Sequence, residues 1–352
     1  MIDYAEIAFK ILNCILKVKP HQAITISTEI HNVSEYDDPL IEIPFLEELA
    51  LFIRKAKALP IIDVSTENLH KRFFEEITDD SIDISTEQFF KWINSSELFI
   101  DLSWRSNPQF YQSIADRSYK RVKMSSKEFI RIFSDNNKKL LLLGFPTKGL
   151  SIYYKVDHQL IEKTYFEALN LDYNELKKRV LIFDGKIKKS QKWYLDTDKR
   201  TVEIEFEHDS LCMYGDFNDE VIVTLPCGSW EQDIIQERFK GIFLADSIYF
   251  DHHRWHDVQI IFENGKVTDV ETVSDLEDIN LLKTLLFQKI SGISLQVGLN
   301  KNIIEKTNYS LFDMRKHKNV SLIMNNSRGQ LIALSHNASL HESKEKNILE
   351  EV

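Results

Sequence analysis

A change of hydrophobic period near residue 192 is the feature that most constrains this chain. Before it, helical stripes alternate with short apolar runs. Tyr4, Ile7, Ala8, Ile11, Leu12 and Ile15 recur at the spacing of one helix face, Pro20 ends the stripe, and Ala23 to Ser27 reads as a strand. A second helix is expected from Phe45 to Ala58, followed by a buried strand at Pro60–Val64. A helix closing at Trp92–Ser95 leads into the strand phrase ELFIDLSW, and a helical Lys127–Phe133 precedes the buried strand Leu140–Thr147. Such alternation predicts a parallel sheet covered on both faces. From Lys192 onward the apolar residues alternate with period two in TVEIEFE, LCMYG, EVIVTL and VQIIFENGKVTDVE, with Asn264-Gly265 as a two-residue hairpin signal. One helix interrupts, Asp278 to Lys289, with Ile279, Leu282, Leu285, Leu286 and Lys289 on its buried face. The expected class is α/β: an N-terminal α/β domain with a parallel sheet (residues 1–195) and a β-rich C-terminal domain (residues 196–352). A chain of 352 residues can bury a core in each.

Charge and composition exclude several function classes. A net charge of −11 argues against nucleic acid, because phosphate contacts need clustered Lys and Arg. The longest aliphatic run, Leu140–Leu143, is far too short to cross a bilayer, and MIDYAEIAFK does not read as a signal peptide, so no membrane association is expected. The three cysteines, Cys14, Cys212 and Cys227, lack paired spacing and suggest a cytoplasmic setting; Cys227 reads as a buried structural thiol. Thr28–Pro44 carries five carboxylates and no Lys or Arg, whereas Arg117–Lys139 and Lys177–Arg200 are basic. These stretches are either solvated faces or, for the basic ones, a wall that steers an acidic ligand. No strand is followed by a dinucleotide or Walker-type glycine loop, so no such cofactor is expected. In DHHRWHD, the residues Asp251, His252, His253, His256 and Asp257 invite a metal reading, but neighbouring histidines on a strand point to opposite faces, and a structural or ligand-contacting loop is the simpler expectation.

Three phrases of the second half, VTLPCGSWE, ENGKVTDVE and GISLQVGLN, are similar to catalytic-domain motifs of the thermophilic, aminopeptidase T-like leucyl aminopeptidases. The resemblance extends to the first half. AEIAFKILNCILKVKPHQAITI resembles that family's opening helix-turn-strand, with His21 where glycine is usual. LFIDLSWRSNP and LLLLGFPTKG look like two later strands, and YFEALNLDYNELKKRV like the helix leading into the domain junction. The likeness is collinear over roughly residues 1–330, with Glu29–Glu42 as an apparent insertion. It implies a two-domain metallopeptidase fold with a cleft lined mainly by the second domain, and a dimer, for which 22 phenylalanines leave apolar area.

In that family the L-P-x-G-E and G-E-x-G-I-G-x-N phrases each supply a metal-binding glutamate, and a V-H-I-A-x-G strand supplies a histidine. The matching positions here are Ser229, Ser294 and Ser321. A register two residues later would put Glu231 where Ser229 stands. The family's closing H-x-D pair has no counterpart in SHNASLHE, Ser335–Glu342, where neither His336 nor His341 is followed two places on by Asp. The resemblance thus implies a fold without metal ligands or other cofactor, whose groove, lined by Ser229, Trp230, Glu231, Ser294, Ser321, Arg328 and His336, could still hold an extended peptide. Metal-free relatives of this fold bind precursor peptides in the biosynthesis of ribosomally made, modified peptides. A peptide, with modifying enzymes as further partners, is therefore the expected ligand. Two alternatives stay open: a metal-dependent aminopeptidase or related metalloenzyme with rearranged ligands, and a metal-free enzyme acting on a bound peptide.

Overall fold

The computed structural model describes residues 2–30, 42–66, 94–102, 133–136, 138–198, 200–217, 221–250, 253–272, 276–336, 338–342 and 347–350, with isolated positions 69, 72, 76, 91 and 131. The chain divides into two compact units, residues 1–170 with 215–226, and residues 171–214 with 227–352. The boundary expected near residue 195 falls inside the second of these.

The first unit is built on a five-stranded parallel sheet. Helix α1 (Tyr4–Lys10) starts at Asp3, whose side chain accepts the Glu6 N–H at 2.9 Å, and runs on as a wider π-turn through Ile11–Ile15. Ile7, Ala8, Ile11, Leu12 and Ile15 are all buried, as the stripe requires. The turn that follows places His21 in the left-handed region, φ 69°, which is where glycine costs least. Strand β1 (Ala23–Ile30) pairs in parallel with β2 (Leu59–Thr66) after helix α2 (Glu42–Lys55), and with β3 (Leu98–Asp101) on its other side. β4 (Lys139–Leu142) continues the sheet.

Three expectations need correction here. The Pro60–Val64 strand is not buried: β2 pairs only with β1 among the described strands, and Leu59, Ile62 and Val64 are each about half exposed. The period-two phrase EVIVTL does not join the β-rich half. Its strand β7 (Ile222–Thr224) pairs in parallel with β4, giving the order β2-β1-β3-β4-β7. A three-residue strand carries too few positions for its period to reveal its sheet. The YFEALNLDYNELKKRV stretch is not one helix. After α3 (Lys148–Tyr154), α4 (His158–Leu169) stops at Asn170 and α5 (Tyr173–Ile187) restarts at Asp172, whose carboxylate accepts the N–H groups of Asn174 and Glu175. Residues 92–93, residues 127–130 and 132 of the expected Lys127–Phe133 helix, residues 31–41 of the acidic stretch and most of Arg117–Lys139 lie outside the described residues. No helix among the described residues is long and apolar enough to cross a membrane.

The second unit is an antiparallel sheet of ten strands, as the period-two patterning predicts. They are β5 (Lys192–Thr197), β6 (Arg200–Met213), β8 (Ser229–Ile234), β9 (Lys240–Phe250), β10 (His253–Glu263), β11 (Lys266–Thr272), β12 (Gly292–Gly298), β13 (Val320–Asn326), β14 (Gly329–Ser335) and β15 (Ala338–His341). The order is β11-β10-β9-β14-β13-β12-β8-β6-β5-β15, and β9 also pairs with β6. That extra pairing, Val202 with Gly241 and Glu203 with Lys240, closes β6, β8, β12, β13, β14 and β9 into a ring. Gly241 permits the closure. A Cβ there would lie 2.3 Å from the Thr201 carbonyl oxygen.

The Asn264-Gly265 hairpin forms as expected between β10 and β11, both residues at positive φ. Helix α6 (Leu276–Leu286) buries Leu282, Leu285 and Leu286. It ends before Lys289, which is exposed rather than buried.

Candidate functional site

The strand β8 begins where three unusual backbone features meet. The Leu225–Pro226 bond is cis, Gly228 has φ 114°, and a Cβ on Gly228 would lie 2.8 Å from the Asn300 Cβ. Two of the phrases singled out in the sequence therefore touch each other. Leu299 donates its N–H to the Gly228 carbonyl at 2.8 Å, and the Asn300 side-chain amide donates to the Cys227 carbonyl at 2.9 Å. Cys227 is buried, as expected. At the end of β12, Gly298 lets the chain pass beneath Lys316, whose carbonyl oxygen would be 2.0 Å from an added Cβ.

From this crossing the register runs outward and decides which side chains share a face. Ser229, Glu231 and Asp233 of β8 lie opposite Gly298, Gln296 and Ser294 of β12. Gln296 and Ser294 in turn lie opposite Ser321 and Ile323 of β13. Paired residues point to one side of a sheet, so the three serines, Glu231, Asp233 and Gln296 form one polar face. They are also bonded together. The Gln296 Nε2 donates to Ser229 Oγ at 2.8 Å, and Ser294 Oγ donates to Glu231 Oε1 at 2.7 Å. Ser229 and Ser321 are fully buried, and Ser321 Oγ has no hydrogen-bond partner among the described residues. Glu231 is half-buried and Asp233 exposed, so the face opens toward Asp233. Burial pushes the Glu231 carboxyl above its ordinary range. The bond from Ser294 and the charge of Arg315 oppose that shift, and Asp233 adds to it.

Trp230 is not brought to this face. It points the other way, toward α5, where its ring meets Phe183 and Phe206 edge-on and its Nε1 donates to Asp184 at 3.0 Å. Burial alone would raise the Asp184 carboxyl, but donors from Lys188, Ser210 and Trp230 outweigh it and hold it below the usual range. A buried indole with a satisfied N–H is a packing anchor. Arg328 sits in the exposed β13–β14 turn, its backbone N–H bonded to Asn326 Oδ1 at 2.8 Å, remote from the serines along the hairpin. His336 follows β14 on the serine side of the alternation. Neither of its ring nitrogens has a hydrogen-bond partner among the described residues, and its backbone N–H donates to Asp246 at 2.7 Å. Burial and the Lys306 charge lower its pKa, against the pull of Asp246 and Asp313.

The described members of the histidine-rich segment do not converge on one point. Asp251 and His252 lie outside the described residues. His253 stacks on Trp255, while His256 receives a hydrogen bond from Arg254 Nε at 2.9 Å and faces Ser247 at 3.2 Å. Among the described residues no group of three or more His, Cys, Asp or Glu side chains is arranged to hold a metal ion. The three serines do not fit a metal centre either: they are neutral hydroxyls, Ser229 is bonded to Gln296, and the Glu231 carboxylate beside them is turned to Ser294.

Gln296 is the participant that the motif comparison passed over, although its spacing of two from Ser294 placed it on the same face. The buried Tyr249–Asp313–Thr307 cluster, with Thr307 Oγ1 donating to Asp313 at 2.9 Å, joins distant segments and left no local signal. A concavity of about 400 Å³ is lined by Tyr194, Glu203, Lys240 and Phe262, none of which belongs to the serine face.

No family model matches the chain, and no curated protein matches it. Among solved structures it is similar to wild-type AmpT from Thermus thermophilus, with a TM-score of 0.61 at 11% identity, over 96% of this chain and 94% of that one. At that identity the likeness establishes an aminopeptidase-like α/β fold, with a parallel-sheet N-terminal part and an antiparallel, sheet-rich C-terminal part.

Proposed function

We propose that this protein binds an extended peptide on the polar face of its β-rich unit without hydrolysing it. Its ligand on this reading is a precursor peptide in the biosynthesis of a ribosomally made, modified peptide, presented to modifying enzymes. One observation carries the reading. At the positions matched to metal ligands in the resembling metallopeptidases, this chain has serine hydroxyls, with Ser229 bonded to Gln296 and Ser294 to Glu231. Such hydroxyls neither bind divalent ions tightly nor lower the pKa of a water molecule. Peptide binding needs none of that, since backbone pairing and side-chain pockets supply affinity. Glu231 and Asp233, at the open end of the face, offer carboxyl groups to the N–H groups or the ammonium of such a peptide.

The test is release of amino acids from unblocked leucyl peptides, with and without added zinc, cobalt or manganese, alongside fluorescence anisotropy of the same peptides. Binding without release, weakened by Glu231→Gln, is the expected result. Efficient metal-dependent release would overturn the proposal in favour of an aminopeptidase.

A further inference from the structure

Where β6 and β9 meet to close the strand ring, β5 and β10 join them around the concavity of about 400 Å³. Strand registers sort its lining into two rows. Tyr194 lies opposite Glu203, and Glu203 opposite Lys240. Gly241 lies opposite Phe262, so Lys240 and Glu263 are the next pair of positions along that ladder. Ile242 lies opposite Ile261 on the other side of Gly241. Side chains alternate along each strand, so Lys240 shares a face with Ile242, and Glu263 with Ile261. A charged row, Glu203, Lys240 and Glu263, thus runs beside an apolar pair, Ile242 and Ile261, and both line the concavity.

The charges in that row are unevenly matched. Glu203 has Lys192 Nζ at 2.8 Å and Lys240 Nζ at 3.5 Å, and the Lys192 bond holds its carboxyl below the ordinary range. Two lysines therefore share one carboxylate, and Lys240 is turned to Glu203 rather than to Glu263. Glu263 is exposed, and no ion pair holds its carboxylate among the described residues. Excess positive charge stands at one end of the row and an unmatched negative charge at the other, with two half-buried isoleucines alongside. An ion of either sign would meet repulsion at one end, and a purely apolar guest would strip water from both. A guest carrying both charges close together, with an apolar group beside them, matches every part of the wall.

We propose that this concavity binds a free α-amino acid with an apolar side chain, its carboxylate on Lys240, its ammonium on Glu263 and its side chain on Ile242 and Ile261. Opposite positions on an antiparallel ladder have Cβ atoms about 5 Å apart, so the tips of Lys240 and Glu263 can take the two charged ends of one amino acid. The concavity is of a size that suits a small molecule and is open to solvent at its charged row, where Lys240 and Glu263 are exposed. None of these residues belongs to the serine face, so the site stands apart from the peptide-binding reading and does not depend on it. A peptide bond at either end of the guest would remove one of the two charges, which sets free amino acids apart from peptides here.

The experiment uses the full chain and ligand-observed NMR titrations with leucine, leucinamide, N-acetyl-leucine and glycine. Leucine should bind with a dissociation constant on the order of 1 mM. Leucinamide lacks the carboxylate, N-acetyl-leucine the ammonium and glycine the side chain, and each should bind at least about fivefold more weakly. Lys240→Ala and Glu263→Gln should each weaken leucine about fivefold, and Lys178→Gln on α5 by less than about 1.5-fold. Circular dichroism melts like that of the wild type show that the variants keep the fold. Absence of leucine binding at about 20 mM, well above the expected constant, would overturn the proposal. Leucinamide and N-acetyl-leucine binding as tightly as leucine would overturn it too. So would leucine binding untouched by both Lys240→Ala and Glu263→Gln, which would place the amino acid elsewhere on the chain.

Discussion

Two neighbouring regions of the second unit share strands yet differ in what their residues do. At the crossing of Cys227–Gly228 with Gly298–Asn300, each residue is dictated by backbone: a positive φ, a missing Cβ, an amide reaching a buried carbonyl. On the adjoining polar face, Ser229 and Ser294 satisfy only the local hydrogen-bond balance, through Gln296 and Glu231. The L-P-x-G and G-x-N phrases thus carry backbone constraints that the neighbouring serines do not share. The phrases shape the chain, and a scaffold can hold its shape while the chemistry next to it changes.

The comparison breaks if the two regions respond alike to substitution. The largest effect is expected at the crossing: Gly298→Ala forces a Cβ against the Lys316 carbonyl and should cost about 3 kcal/mol in urea denaturation, or prevent folding. Next, Ser229→Ala strands the buried Gln296 amide and should cost about 2 kcal/mol, whereas Ser229→Thr, which keeps the hydroxyl, should recover part of it. Equal losses from both variants would assign Ser229 to packing alone.

Glu231→Gln sharpens the contrast through pH. Because the folded-state pKa of Glu231 is raised, the folded state binds more protons than the unfolded chain above the ordinary carboxylate range. Wild-type stability is therefore lost as pH rises from that range through the folded value. Glutamine still accepts from Ser294, so this variant should gain stability relative to wild type as the pH climbs, read from denaturation midpoints across acidic to neutral buffers. A difference independent of pH would contradict the assignment.

Two smaller effects follow. His21→Gly should stabilise by about 0.5 kcal/mol, the relief of a left-handed residue less the entropy of glycine. Ser321→Ala should change stability by less than about 0.5 kcal/mol, because its buried hydroxyl has no partner among the described residues to lose.

Much of the fold was legible before any coordinates. The stripe Tyr4–Ile15, the alternation in β10 and β11 and the Asn264-Gly265 turn express local periods, and local periods are what a sequence displays openly. The misjudged elements depend on distant partners. β2 looks like a buried strand because its composition is apolar, but burial is conferred by neighbours, and β2 has one paired neighbour among the described strands. β7 is three residues long, and its sheet is chosen by β4 rather than by its own pattern. The site followed the same logic. The common face of Ser229, Ser294 and Ser321 depends on register across β8, β12 and β13, and Trp230 faces away from it because adjacent residues on a strand alternate.

The six-strand ring closed at Val202 and Gly241 has a consequence for how such a site can change. In an open sheet an outer strand can slip by two residues and present a different row of side chains. In a closed circuit the registers of all six pairings must add up around the loop, so a slip anywhere demands compensating slips elsewhere. Glu231 therefore cannot slide into the place of Ser229 while the rest of the barrel stands still. Chemistry on this face can be rewritten only by replacing residues where they are, like characters in fixed type.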